Sequence, residues 1–289
     1  MIVNIVDLAC GAGLGARGLI DELAQLGIRG RVVFACDPWS AAVESYRLNV
    51  PEAVRVERIS VEKAIASGSI PHSDLLIAGP PCIRDSVLTA CRTDVEDRTA
   101  EMASLKEDVL TIAKATAQRF VIETNRGWDS WGRAHGLLPV RVSDHELGGY
   151  TLRRRTFLLH RITPAPTRAP LQRGWGEALP QYGRILGCAL SSDVHAVHKR
   201  QKYAKSPDKP AFAVVGHGGA PILYCEGLGA QRLPPEDALR LQGFHPGAFC
   251  LASPRVRDRQ TLVGNGWPRS YGQWLARSYA ESLAADVQG

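Results

Sequence analysis

A thiol mounted at the end of an apolar run is the first residue in this chain whose setting suggests chemistry. Leu75-Leu76-Ile77-Ala78 reads as a buried strand, and Gly79-Pro80-Pro81-Cys82 follows it directly. Two prolines fix the backbone and remove two amide donors, so the chain must leave the sheet as a stiff turn. Cys82 then sits at the carboxyl end of a strand, where open α/β sheets hold their ligands, and its thiolate is a candidate nucleophile. A cysteine in this place is otherwise a small buried hydrophobe, and Cys82 alone does not decide between the two. Gly11-Ala12-Gly13-Leu14-Gly15 forms a second cluster after the apolar run Val3–Leu8. It lets backbone approach a nucleotide-like ligand, although its spacing is neither a dinucleotide fingerprint nor a phosphate loop of the Walker type. Asp37 closes the next apolar run, where an acid can accept both hydroxyls of a ribose or, alternatively, cap a helix. Together these two features suggest a cofactor containing adenosine.

The elements that must position these groups follow from hydrophobic periodicity. Strands are expected at Val3–Leu8, Val32–Ala35, Asp74–Ala78, Arg119–Ile122 and Thr156–His160, with helices over 16–26, from Asp37 to about Leu48, and over 102–118. Strands that alternate with helices and end in polar clusters predict an α/β fold with a mostly parallel, doubly wound sheet. Between Arg161 and Asp208 the alternation stops in a stretch rich in Pro, Gly, Arg and Lys, which reads as an insertion or small second domain. Helices resume at Pro234–Leu241, with acids in the first turn, and near Ser270–Ala285. The expected organisation is a catalytic unit of residues 1–160 plus 257–289 and a smaller unit of 161–256.

Composition narrows the partners. The chain has 289 residues, 45% of them hydrophobic, enough for a substantial core. Seven cysteines without metal-type spacing argue against a zinc site, and their odd number argues against a disulfide framework, so a reducing cytoplasm is the expected setting. The segment Met1–Asp7 does not resemble a signal peptide and no run reaches spanning length, so no membrane partner is expected. A net charge of +6 is compatible with a polyanion. Positive charge gathers at Arg153-Arg154-Arg155 and between His195 and Lys205, where Lys199, Arg200, Lys202 and Lys205 could contact phosphates or form a solvated face.

With these residues in place, the chain resembles the DNA cytosine-5 methyltransferases, through ordered motifs spread over most of its length. Asp7-Leu8-Ala9-Cys10-Gly11-Ala12-Gly13 resembles the family's first S-adenosylmethionine motif, Asp37 takes the ribose position, and Gly79-Pro80-Pro81-Cys82 is similar to the nucleophile motif. Asp97-Arg98, Glu123-Thr124-Asn125 and Gly149–Phe157 follow in the family's order, then Arg232–Phe244 and Gly264-Asn265-Gly266-Trp267-Pro268. The resemblance implies a Rossmann-like methyltransferase fold and S-adenosylmethionine as cofactor. It implies methyl transfer to carbon 5 of a cytosine flipped out of DNA, in a cytoplasmic protein of bacterial or phage type. It implies Cys82 as nucleophile, Glu123 as acid, Arg155 on the cytosine carbonyl and Arg153 supporting the pocket. Cofactor contacts are implied for Asp7, Ala9, Gly11, Gly13, Asp37, Pro38, Ser60, Pro80 and Asn265, and nucleic-acid contacts for Arg84 and Ser86.

The chain departs from the family pattern around the pockets. Ala9 replaces an aromatic residue, Ser60 with Glu62 nearby stands for the acid presented to adenine, Thr124 replaces an asparagine, and Thr151 replaces the glutamine of the arginine strand. Ile83-Arg84-Asp85-Ser86 keeps only the serine of the usual sequence after the nucleophile. Because Asp208-Lys209-Pro210-Ala211 already resembles the start of the family's later motif, only roughly 50 residues remain for target recognition, small beside the ~100-residue mode of a domain. Low sequence specificity, a separate targeting partner, or a substrate other than duplex DNA would each fit. The alternatives to DNA methylation are a modified donor, a hypermodified base, RNA or a free nucleotide as substrate, and a catalytically silent nucleic-acid binder.

Overall fold

The computed structural model describes residues 1–80, 96–124, 128–167, 173–182, 206–211, 213–214, 222–225 and 229–288. The chain begins with β1 (Ile2–Leu8), α1 (Leu14–Gln25), β2 (Arg29–Cys36) and α2 (Ser40–Asn49). It continues through β3 (Val56–Glu57), α3 (Val61–Ala66), β4 (Ser73–Ala78), α4 (Glu96–Thr116) and β5 (Ala117–Thr124). After α5 (Asp129–Ala134), the strands β6 (Leu138–Ser143) and β7 (Arg154–His160) complete a seven-stranded sheet of order β3-β2-β1-β4-β5-β7-β6. The pairs from β3 through β5 are parallel, and β7 runs antiparallel to both β5 and β6. This is the mostly parallel α/β sheet expected, with one reversed strand that periodicity does not reveal. β1 and β4, at the centre, bury nearly every side chain because helices cover both faces.

Two apolar layers enclose the sheet. One holds Ile5, Leu19, Val32 and Ile77 against Trp267, Tyr271 and Trp274; the other holds Leu8, Phe34, Leu76 and Ile122 against Val109 and Trp128. A third cluster joins Ala12 and Leu14 to Trp175, Leu239, Phe244 and Val263. It gathers short elements from the region where alternation stops: α6 (Trp175–Ala178), α7 (Pro235–Leu241) and α8 (Val256–Asn265). A two-stranded antiparallel ribbon, β8 (Ile222–Cys225) with β9 (Gly229–Arg232), precedes α7. Trp175 is fully buried, and its amide donates to the Lys209 carbonyl at 3.0 Å, so 173–179 lies along 206–211.

The last helix, α9 (Arg269–Gln288), packs along α1 through glycines. A Cβ on Gly272 would lie 2.5 Å from the Leu19 amide nitrogen and 2.7 Å from the Gly15 carbonyl oxygen, both backbone atoms that cannot swing away. One on Gly18 would lie 2.9 Å from the Arg269 carbonyl oxygen. This close approach sets where the segment before α9 meets the first glycine turn. Gly272→Ala should therefore lower stability by roughly 1–3 kcal/mol, the usual cost of overpacking, as read from denaturant unfolding. An unchanged transition would show that the helices are not held this tightly.

Candidate active site

The carboxyl ends of β1 and β2 form the first corner of the site. Beyond β1 the backbone takes positive φ at Ala9 (56°), Gly11 (55°) and Gly13 (86°). At Gly13 the turn also passes over α2, where a Cβ would come within 3.1 Å of both Tyr46 and Val50. At Gly11 a Cβ would meet nothing within 4 Å, so the turn carries open space above it. Asp37 braces this turn: Oδ2 accepts from the Gly11 amide at 3.0 Å and Oδ1 from the Trp39 amide at 2.9 Å. Trp39, not Asp37, occupies the N-cap of α2, so the capping alternative for Asp37 does not hold. Each carboxylate oxygen keeps a second lone pair for a ligand hydroxyl. Burial pushes the Asp37 carboxyl above its ordinary range, and the two amide bonds oppose that shift.

Beneath the turn, Asp7 is buried and Oδ2 accepts from the Tyr46 hydroxyl at 3.0 Å. Burial raises its pKa to about 7, the Tyr46 bond opposing and the Asp37 charge adding to the shift. Cys10, in the turn itself, has a thiol pushed up by burial and by Asp7 and Asp37, which disfavours a reactive thiolate. Pro38 is exposed beside Asp37, and Trp39 is half-buried. Ser60 caps α3 by accepting from the Lys63 amide at 3.4 Å, with Glu62 exposed in the first turn.

The second corner lies at the ends of β4, β5 and β7. The Gly79 amide donates to the Leu8 carbonyl at 3.2 Å, carrying the β1–β4 ladder into the proline turn, and Pro80 is buried. Glu123, 8% exposed, is the penultimate residue of β5. Its Oε1 pairs with Arg155 Nε at 2.7 Å, and its Oε2 would lie 3.7 Å from a Cβ on Gly79. The acid therefore lies beside the turn that leads to Cys82.

Arg153, expected to support the pocket, lies just before β7. Its guanidinium is buried and Nη1 donates to the carbonyls of Val214, at 3.1 Å, and Gly264, at 2.6 Å. Burial, and then the Arg155 charge, lower its pKa to about 10. Arg153 thus joins the arginine strand to the last turn of α8. Asn265 is exposed at the end of that helix, next to the carbonyl that Arg153 holds. Cys82, Arg84, Ser86, Lys199, Arg200 and Lys202 lie outside the described residues.

Sequence reasoning missed three contributors. Tyr46 carries no motif. Asp144 is buried and accepts from the Thr151 amide at 2.8 Å, the Thr151 hydroxyl at 2.7 Å and the Ser270 hydroxyl at 2.5 Å. Thr151, at the glutamine position of the arginine strand, thereby links the strand's approach to α9. Trp267 could have been noticed as the large aromatic within Gly264–Pro268. Its ring meets Phe157 edge-on with centroids 5.3 Å apart, and its Nε1 would lie 3.5 Å from a Cβ on Gly79.

The raised Asp7 pKa has a pH signature. A carboxyl that titrates higher in the folded state binds more protons there, so its favourable contribution is complete below the ordinary carboxylate range. That contribution is lost as pH rises through about 7. The stability difference between wild type and Asp7→Asn should fall with rising pH over that window and level off above it. Thermal unfolding of both proteins across pH checks this, and a difference independent of pH would contradict it.

The profile of the C-5 cytosine-specific DNA methylase family matches residues 3–124, which include both corners up to the end of β5. No relative with a curated function matches the chain. Three solved structures share the fold over nearly the whole length. A DNA modification methyltransferase from an Escherichia coli prophage is 16% identical, with TM-score 0.64 over 98% of this chain and 99% of its own. The Schizosaccharomyces pombe Dnmt2 methyltransferase is 14% identical, with TM-score 0.62 over all of both chains. A Spodoptera frugiperda DNMT2 mutant is 12% identical, with TM-score 0.65 over 96% of this chain and 99% of its own. Residues 3–124 thus match the C-5 cytosine-specific DNA methylase family, and the whole chain shares its fold with the three methyltransferase structures.

Proposed function

We propose that the protein transfers a methyl group from S-adenosylmethionine to carbon 5 of cytosine in DNA, with Cys82 forming a transient covalent bond to the base. The observation that carries this reading is the corner where Glu123, paired with Arg155 at 2.7 Å, flanks the Gly79 turn that leads to Cys82. A silent nucleic-acid binder needs neither the acid nor the thiol. In this reading residues 1–160 plus 257–289 form the catalytic unit and 161–256 a reduced recognition unit. Lys199, Arg200 and Lys202 contact phosphates, as do Arg84 and Ser86.

The open space above Gly11 and the braced Asp37 carboxylate fit an adenosyl group, so Asp37 would take the ribose hydroxyls and Gly11 and Gly13 the methionine portion. Trp39, next to Asp37, offers the adenine an aromatic surface that Ala9 does not. When bound, the cofactor supplies a methyl group made electrophilic by its sulfonium. The Cys82 thiolate bonds to carbon 6 of the flipped base while Glu123 gives a proton to ring nitrogen 3. Carbon 5 becomes an enamine carbon and accepts the methyl group. Water then takes the carbon 5 proton, the freed electron pair expels Cys82 as its thiolate, and nitrogen 3 returns its proton to Glu123, which restores the ring. For Glu123 to act, Arg155 must release it, and the base carbonyl is the acceptor that replaces the carboxylate.

Nucleoside mass spectrometry after incubation of the purified protein with DNA and S-adenosylmethionine tests this. Wild type should add one methyl group to cytosine, Cys82→Ala should add none, and Glu123→Gln should slow turnover by roughly 10²–10⁴-fold while leaving donor affinity near wild type. Full activity in Cys82→Ala would overturn the mechanism, and methylation of RNA but not DNA would overturn the substrate.

A further inference from the structure

Trp267 stands between residues of the two corners of the site. A Cβ on Gly15, in the first turn of α1, would lie 2.8 Å from the Cε3 atom of the indole. On the other side, a Cβ on Gly79 would lie 3.5 Å from its Nε1 and 3.7 Å from Glu123 Oε2. The indole thus spans from the glycine turn, on the donor side, to the Gly79–Glu123 corner, on the base side. Neither glycine carries a side chain. Ala9, the residue after β1, packs against the opposite apolar layer.

The ring is also fixed. It is 7% exposed, and Phe157 abuts it edge-on. The backbone on either side is clamped: Arg153 holds the Gly264 carbonyl, and Gln242 Nε2 donates to the carbonyls of Val263, at 2.9 Å, and Gly266, at 3.4 Å. A wall held in this way can exclude a larger group, because close-packed interiors yield little to added volume. On the basis of the reading above, we propose that Trp267 sets the size of the group the site transfers. It leaves room for the methyl of S-adenosylmethionine and rejects bulkier S-alkyl donors.

Calorimetric titration of the full chain with S-adenosylmethionine and with its S-propargyl analogue tests the proposal without relying on turnover. Wild type should prefer the methyl donor by about tenfold or more, the scale at which a hydrophobic pocket registers each added carbon. Trp267→Ala should collapse that ratio by gaining affinity for the analogue, and Trp267→Phe should fall between. The ratio is the readout because loss of packing alone weakens both donors together. If Trp267→Ala does not fold, the partial fall in Trp267→Phe carries the test. An unchanged ratio in a folded variant, or a wild type that binds both donors equally, would overturn the role of Trp267 and leave the methyltransferase reading intact. A wild type that binds neither donor would overturn that reading and this one with it.

Discussion

Arg153 carries a positive charge into the interior, where it is 3% exposed, and spends one guanidinium nitrogen on two carbonyls far apart in sequence, Val214 and Gly264. Burying such a charge costs several kcal/mol unless hydrogen bonds and nearby anions compensate it. The carbonyls, together with the charges of Glu123 and Asp144, provide that compensation. Its own carbonyl accepts from the Tyr271 hydroxyl at 2.7 Å and from the Asp144 amide at 2.8 Å. Through these bonds one residue fixes the start of β7, the last turn of α8 and the first turns of α9 relative to one another. Arg155, two residues on, can then reach Glu123, and Trp267, three residues beyond Gly264, can stand beside Gly79.

The remaining geometry follows from where parallel strands end. β1, β2, β4 and β5 point the same way, so the glycine turn, Asp37, Gly79 and Glu123 share one edge of the sheet without any need for sequence proximity. The reversed strand β7 supplies the arginines from the opposite direction, entering that edge at its amino end. Glycine contacts between α1 and α9 bring the last helix back to the first, and Gly266 and Trp267 lie against Leu14 and Gly15 at the start of α1.

Much of this was legible in the sequence because central strands and amphipathic helices carry strong periodicity. The expected strands at Val3–Leu8 and Asp74–Ala78 differ from β1 and β4 by one residue at their starts. What escaped was short or at an edge. β3 has two residues, α3 and α5 six each, and β6 contains Pro139 with Leu138 exposed, the profile of an edge strand that hydrophobicity does not mark. Asp37 and Glu123 could be picked out because acids that end apolar runs are conspicuous. Strand pattern alone would put Arg153 and Arg155 on one face, and only the family resemblance separated a base contact from a supporting role. Arg153, however, precedes β7, where bonds to Thr151, Asp144 and Tyr271 turn the backbone inward. Asp144, Tyr46 and Trp267 gain their roles from partners distant in sequence, as Asp144 does from Ser270, 126 residues away, which no local pattern encodes.

If a single buried guanidinium unites the donor corner with the acid corner, then Arg153→Lys should disturb both at once, because the lysine nitrogen stops one bond short of Nη1, the atom that serves both carbonyls. The direct measurement is S-adenosylmethionine affinity by calorimetry alongside single-turnover methylation at saturating donor, on variant protein whose folding is verified by its thermal transition. The account predicts weaker donor binding through the displaced 264–267 turn and slower methyl transfer through the displaced Arg155–Glu123 pair. A folded Arg153→Lys protein in which either quantity stays at its wild-type value would contradict it.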